Sequence, residues 1–266
     1  MNQVDYVPNP IQDKIILDIT ALITSKLLVA EGGWICLHGE TLSGLTTILY
    51  RLCGKRLFGV QSPWLFKMAA LPNLIGVKGA LLHAMRLPND MNGWPSATII
   101  PGFLGDYLMY SQNKVMLIDD FHIVQRLGSA DRQQFRNIIQ ELIRPPYSLI
   151  FVLSGNFASL QSMSRDWPSF VAEPMLKIKK FNSSNHVQVF SNEVLEQRAP
   201  KLLSLYGHEL VSFDNAKDIL DLTKGYIGEI LMFICLLARE FQAGEFYNAE
   251  PGIFDRASSR YRVRHD

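Results

Sequence analysis

Along residues 11–31 the apolar residues Ile11, Ile15, Ile19, Leu22 and Ile23 recur at helical spacing, which predicts an amphipathic helix that Gly32 and Gly33 end. A short apolar run, WICLHG (34–39), then reads as a buried strand, followed by the loop ETLSG and a helix over TTILYRLCGKRL (46–57). WLFKMAAL (64–71) reads as a second strand, IGVKGALLHAM (75–85) as a helix, MNGWPSA (91–97) as a loop and FLGDYLMYSQ (103–112) as another helix. KVMLIDDFH (114–122) is apolar through Ile118 and ends in two carboxylates. A Gly-Ser loop and a helix from Asp131 to Ile143 follow, and Pro145-Pro146 stops that helix. YSLIFVLSGN (147–156) repeats the pattern of an apolar strand with a polar tip.

The remainder reads as a short helix from residue 157, an edge strand over MLKIKKF (175–181), and helices over 186–198, 214–223 and 226–243. Alternating strands and helices up to about residue 181 predict an α/β fold with a parallel sheet flanked by helices, followed by a small C-terminal helical part. The expected organisation is an N-terminal helical segment (1–32), an α/β core (33–181), a helical lid (182–245) and a basic tail (246–266) whose end, RASSRYRVRHD, reads as loose. Ligands of such sheets sit at the carboxyl ends of the strands, where the polar tips would gather.

Three of those tips carry chemistry. Gly39-Glu40-Thr41-Leu42-Ser43-Gly44-Leu45-Thr46-Thr47 meets the phosphate-loop pattern GxxxxGK[ST] at every fixed position except the lysine, where Leu45 stands. Glycines let backbone N–H groups wrap a phosphate, and the N-terminus of the following helix adds a favourable partial charge. Thr46 occupies the position whose hydroxyl binds Mg²⁺. Val115–Asp120 has the Walker B pattern, in which the first carboxylate (Asp119) holds the metal and the second (Asp120) orients the attacking water. Asn156 ends the next strand, where an amide can orient a water or touch the γ-phosphate, although a plain turn residue is the simpler reading of it alone. Strand, glycine-bounded loop, helix and acidic strand end, in that order, predict a P-loop NTPase fold.

Composition narrows the partners. With 48% hydrophobic residues over 266 positions the chain can bury a large core, and a net charge of +1 gives it no broad basic field. Binding to nucleic acid would have to use a local patch or many subunits side by side. Cys36, Cys53 and Cys235 form no CxxC pair and read as reduced, buried thiols of a cytoplasmic protein. The apolar stretch 227–238 is shorter than the ~20 residues a membrane span needs, so no membrane is expected as partner. The six histidines show no ligand spacing, leaving Mg²⁺ as the one expected metal.

The segment LIDDFHIVQRLGSADRQQFRNIIQELI resembles the part of TniB-type transposition ATPases in which an IDEIH-like motif precedes a Gly-Ser loop and a Gln/Arg-rich helix. LTKGYIGEILMFICLLAREFQAGE (222–245) resembles the LTxGxIGEI helix of the same family. The similarity spans most of residues 10–245 and is weaker over 60–110. It implies an AAA+ regulator of DNA transposition, related to the TnsC and MuB group. Such a protein binds ATP, assembles with itself as a ring or filament on duplex DNA, and recruits a transposase and a TniQ-type targeting partner.

Two departures bear on activity. Leu45 replaces the family lysine and Asp120 the usual glutamate. A hydrogen bond to a charged group is worth roughly 1.5–3 kcal/mol, so the loss of the lysine weakens triphosphate binding about ten- to a hundredfold. Aspartate is one methylene shorter than glutamate, and a displacement of about 1 Å costs on the order of a hundredfold in rate. The expectation is a degenerate ATPase with slow or absent hydrolysis. The alternatives are an interaction scaffold with a vestigial loop, and an active ATPase with a displaced lysine such as Lys55 or Lys114. Arg165 is a candidate for reaching a neighbouring subunit's phosphate, and Arg126, Arg132 and Arg136 are candidates for DNA contact, each set against the simpler reading of a solvated surface arginine. Lys177, Lys179 and Lys180 read as the basic guard of an edge strand.

Overall fold

The computed structural model describes residues 9–54, 62–68, 76–88, 94, 99–166, 175–182, 184, 186–195, 213–245 and 252–265. The chain divides into two units: Lys14–Thr41 with Leu45–Ile178, and Met1–Asp13 with Leu42–Gly44 and Lys179–Asp266. Helix α1 (Pro10–Leu28) contributes its first turn to the second unit and the rest to the first.

The first unit is built on a five-stranded sheet of β1 (Gly33–His38), β2 (Trp64–Lys67), β3 (Val115–Asp119), β4 (Ile150–Gly155) and β5 (Met175–Lys177). Their order across the sheet is β2-β3-β4-β1-β5, and every pairing is parallel. Strands β1, β3 and β4 are buried along their whole length, as expected when helices cover both faces.

Side chains alternate between the faces with period two, so one strand feeds two cores. Trp34, Cys36, Met116, Ile118, Phe151 and Leu153 point to one core. Ile35, Leu37, Val115, Leu117, Ile150 and Val152 point to the other. Helices α3 (Gly76–Ala84), α4 (Gly102–Tyr110) and α5 (Ser129–Ile143) supply the first core through Leu81, Leu104, Phe135 and Ile138. Helix α1 and helix α2 (Leu45–Gly54) supply the second through Ile16, Ile19, Ile23, Ile48 and Leu52. Trp34, which opens β1, is packing: it is 1% exposed and its ring lies 5.5 Å from that of Phe151.

The chain leaves β1 through α2 for the far edge of the sheet and leaves β4 for the opposite edge. The loops after these two neighbours therefore diverge, and the crevice between them is where an open parallel sheet takes its ligand. Between β4 and β5 the chain runs through helix α6 (Phe157–Asp166).

The second unit is helical. Helix α7 (Val187–Val189) continues into a π-helical turn (Phe190–Leu195), followed by α8 (Phe213–Leu222), α9 (Ile227–Glu245) and α10 (Ile253–His265). Its own core joins Phe190, Ile219, Ile230, Phe233 and Ala257. Between α8 and α9, Lys224 (φ 51°) and Gly225 (φ 72°) reverse the chain in left-handed conformations. A Cβ on Gly225 would overlap the Phe181 carbonyl, while the Phe181 amide donates to the Gly225 carbonyl at 2.9 Å. This accounts for the first glycine of GYIGEI.

Several expectations need correction. The C-terminal tail expected to be loose is helical as α10, with Ala257 and Tyr261 buried in the second unit's core. The Tyr261 hydroxyl donates to Glu229, and Arg260 pairs with Glu240, which explains why a basic stretch is held as a helix. Strand β2 is Trp64–Lys67, and residues 69–71 of the expected strand 64–71 lie outside the described residues. The expected helix 186–198 takes α- and then π-helical form, and its end lies outside the described residues. Of the three cysteines expected to be buried, Cys36 is, Cys53 is half-buried and Cys235 is exposed. The loop 91–97, apart from Trp94, lies outside the described residues. No helix among the described residues is long and apolar enough to cross a membrane.

Candidate functional site

The carboxyl ends of the strands collect the polar tips. Strand β1 ends at His38, and the Gly39 amide donates to the Gly155 carbonyl at 3.4 Å, tying the start of the phosphate loop to the end of β4. Glu40 and Thr41 are exposed. Leu42 (φ 64°) and Gly44 (φ 93°) turn the loop sharply, and α2 begins at Leu45. The loop therefore delivers its backbone to a helix N-terminus, the arrangement that favours an anion.

Leu45 packs its alkyl side chain against the core formed by α1, α2 and the sheet. The position that carries a cation in the general pattern here adds to the hydrophobic core. Thr46 is exposed, and its hydroxyl donates to Asp119 Oδ1 at 3.3 Å. Thr47 is half-buried on the same helical turn.

Asp119, the last residue of β3, is 4% exposed. Besides Thr46, its Oδ1 accepts the Ser154 hydroxyl at 2.8 Å and the Asp120 amide at 3.1 Å. A buried carboxylate is tolerable only with such donors. One carboxylate and one hydroxyl fit Mg²⁺, which keeps several waters and takes few protein ligands. Among the described residues no group of three or more His, Cys, Asp or Glu side chains makes a larger metal cage.

Asp120 takes a left-handed backbone (φ 56°, ψ 39°) at the turn into a 3₁₀ helix (Phe121–Arg126). Aspartate is among the residue types that tolerate this conformation best, which is a local reason for it to stand where a glutamate was expected. Burial first, and then the neighbouring Asp119 carboxylate, push the Asp120 carboxyl above the usual carboxylate range, while His122 and Lys67 oppose the shift. Lys67 ends β2 in register with Asp119, and its ammonium lies 4.6 Å from the centre of the Tyr50 ring. The His38 ring packs at 4.9 Å against that of Phe157, tilted by 46°, and burial, followed by the charge of Lys177, holds its imidazole below the usual range.

Asn156 caps α6: its Oδ1 accepts the Ser159 amide at 2.8 Å. Its carbonyl oxygen is thus engaged in the turn. Arg126 is exposed, Arg136 is half-buried, and Arg132 Nη2 folds back to donate to the Leu127 carbonyl at 3.5 Å. The Arg165 side chain and Lys55 lie outside the described residues. Lys114 precedes β3, at the end of the strand opposite Asp119, and its ammonium donates to the Leu108 carbonyl at 2.7 Å. It does not stand in for the loop lysine.

Two contributors escaped the sequence reading. Ser154, in the buried run of β4, carries no motif signal, yet it holds Asp119. Lys67 was read as interior to a longer strand. A polar residue closing an apolar run, as in LSG and WLFK, is the signal common to both.

In the second unit, residues 42–44 sit among the first turn of α1 and the start of α9. The Gly228 amide donates to the Leu42 carbonyl at 2.9 Å, and a Cβ on Gly228 would lie 2.8 Å from both the Leu42 Cβ and its carbonyl oxygen. The second glycine of GYIGEI therefore permits this close approach.

No family model matches the chain, and no curated protein matches it in sequence. Solved structures do. The ORC2 protein of Aeropyrum pernix, in its ADPNP–ADP complexes, superposes with a TM-score of 0.67 at 14% identity over 98% of this chain and 70% of that one. A Walker-type ATPase of Pyrococcus abyssi matches with a TM-score of 0.60 at 13% identity, over 97% of this chain and 72% of its own. Cdc6p of Pyrobaculum aerophilum matches with a TM-score of 0.58 at 13% identity, over 97% and 70%. With the sheet order and the phosphate loop between β1 and α2, these likenesses establish the fold as that of the AAA+ P-loop NTPases.

Proposed function

We propose that this protein is a nucleotide-binding AAA+ assembly factor of DNA transposition with weak or absent ATP hydrolysis. The observation that carries the nucleotide reading is the meeting of Thr46 and Asp119 at the head of α2, a hydroxyl and a carboxylate 3.3 Å apart beside a glycine-turned loop. Similar structures were solved as ADPNP–ADP and ADP complexes, which supports a nucleotide at the equivalent place.

ATP would bind through the loop amides of residues 39–44 and the N-terminus of α2, with Mg²⁺ held by Thr46 and Asp119. When bound, Mg²⁺ supplies charge neutralisation for the phosphates. Ser154 keeps Asp119 oriented by hydrogen bonding to Oδ1. Leu45 supplies no charge to the γ-phosphate, and Asp120 is held toward its protonated form, so both groups that would speed hydrolysis are weakened. Nucleotide would then act as a switch for assembly more than as fuel. The resemblance of LIDDFH and GYIGEI to TniB-type proteins supports duplex DNA, a transposase and a TniQ-type protein as partners, with the chain assembling as a ring or filament. Arg126, Arg136 and Arg165 remain the candidates for contacts in that assembly.

The test is binding of ATP, ADP and a non-hydrolysable analogue with Mg²⁺, with and without duplex DNA, and imaging of the same samples. ATP-dependent rings or filaments on DNA are expected, with little phosphate release. Leu45→Lys is expected to tighten ATP binding about ten- to a hundredfold. Rapid Mg²⁺-dependent turnover by the unaltered protein would defeat the proposal, and assembly indifferent to nucleotide would favour a scaffold.

A further inference from the structure

Asn9 caps α1 by accepting the Gln12 amide at 2.9 Å, which places Gln12 in the first turn with its side chain facing inward. Gln12 is 3% exposed and Ser43 is 6% exposed. Gln12 Nε2 and Ser43 Oγ are both buried without a hydrogen-bond partner among the described residues. Gln12 Nε2 lies against the loop, where a Cβ on Gly44 would overlap it, and Ser43 is the residue before Gly44 in the loop. The Ile227 Cγ2 methyl would lie 3.0 Å from the same added Cβ.

Buried donors are almost always satisfied, because an unpaired one has given up water for nothing. Two such groups, Ser43 on the segment whose pattern is that of a phosphate loop and Gln12 packed against it, mark a place where a ligand supplies acceptors. Both groups donate. The nearest ligand chemistry rich in acceptors is the phosphate chain of a nucleoside polyphosphate. Leu45 leaves this loop without its cation, so further donors have a role to fill.

We infer that Gln12 and Ser43 donate to a phosphate oxygen of the bound nucleotide beside Gly44, and that this neutral pair takes over part of the work of the replaced lysine. This rests on the nucleotide-binding reading. It adds a binding role for the first turn of α1, which the phosphate-loop pattern does not contain.

The experiment is titration of the full chain with Mg²⁺-ATP, inorganic tripolyphosphate and adenosine, alongside thermal unfolding without ligand. The variants are Gln12→Met, which keeps the shape and removes the donor, Gln12→Glu and Ser43→Ala. Gln12→Met and Ser43→Ala should each weaken ATP and tripolyphosphate about three- to tenfold, the value of one neutral hydrogen bond. Gln12→Glu should weaken them further, since its carboxylate faces the phosphates, and none of the three should alter adenosine binding. Unfolding of the free Gln12→Met protein should occur at the same or a higher temperature, because a buried unpaired donor is gone. A structural role would instead lower that temperature and leave the ligand ratios alone. Unaltered ATP affinity in the variants would overturn this inference while leaving the nucleotide reading intact. An effect confined to adenosine would also overturn it, and failure of the unaltered protein to bind any polyphosphate would remove both.

Discussion

Replacing Gly228 by alanine tests whether the phosphate loop needs the close approach of α9. The added Cβ would sit 2.8 Å from the Leu42 Cβ and 2.8 Å from its carbonyl oxygen, closer than such atoms tolerate, so backbone must yield. The yielding part is the bond from the Gly228 amide to the Leu42 carbonyl, now 2.9 Å. Losing one backbone hydrogen bond costs about 0.5–1.5 kcal/mol. Strain from an over-filled contact costs about 1–3 kcal/mol. Alanine's better helix propensity returns at most about 1 kcal/mol, and less in a first turn. The net expectation is a loss of about 1–3 kcal/mol. In urea, with a slope of a few kcal/mol per molar, the midpoint should fall by roughly 0.5–1 M.

Gly54→Ala is the control, since nothing among the described residues lies within 4 Å of its added Cβ. It should leave the midpoint unchanged or raise it slightly. Leu42→Gly should partly rescue Gly228→Ala, because it removes one of the two clashing atoms and suits the left-handed φ of 64°. A Gly228→Ala protein as stable as the original, or no coupling with Leu42→Gly, would refute the reasoning.

Other outcomes follow from the acidic strand end. Ser154→Ala removes the 2.8 Å donor from buried Asp119 and should cost about 1.5–3 kcal/mol in chemical denaturation; an unchanged midpoint would mean that Thr46 and the Asp120 amide suffice. Because the Asp120 pKa is raised in the folded state, its ionisation opposes folding. Stability should therefore decline as the pH rises from the ordinary carboxylate pKa through the folded one. Asp120→Asn should stabilise the protein at about pH 7 and lose that advantage below about pH 4, and an equal effect at both would contradict the shift.

Element order, the all-buried strands and the loop between β1 and α2 were legible because they rest on local rules. Period-two and period-3.6 apolar patterns, and glycines at turns, are written into a few neighbouring residues. Leu45 and Asp120 could likewise be seen at once as departures from a short motif. The tail was misread because a basic composition resembles a solvated end; its helix exists through Tyr261 and Arg260 meeting Glu229 and Glu240 on another helix. Asn156 could be placed at a strand tip, but only the structure showed its oxygen committed to capping α6.

The sequence by itself determined that a phosphate loop without its lysine precedes a helix, and that an acidic strand end follows at a distance. Tertiary structure alone decided that Leu45 turns into the core, that Ser154 holds Asp119, and that Gln12 and Gly228 stand against the loop. The physical reason is range. Thr46 and Asp119 are 73 residues apart and Ser154 and Asp119 are 35, and their meeting depends on parallel register and on which face each core fills. No local pattern encodes those contacts; packing does.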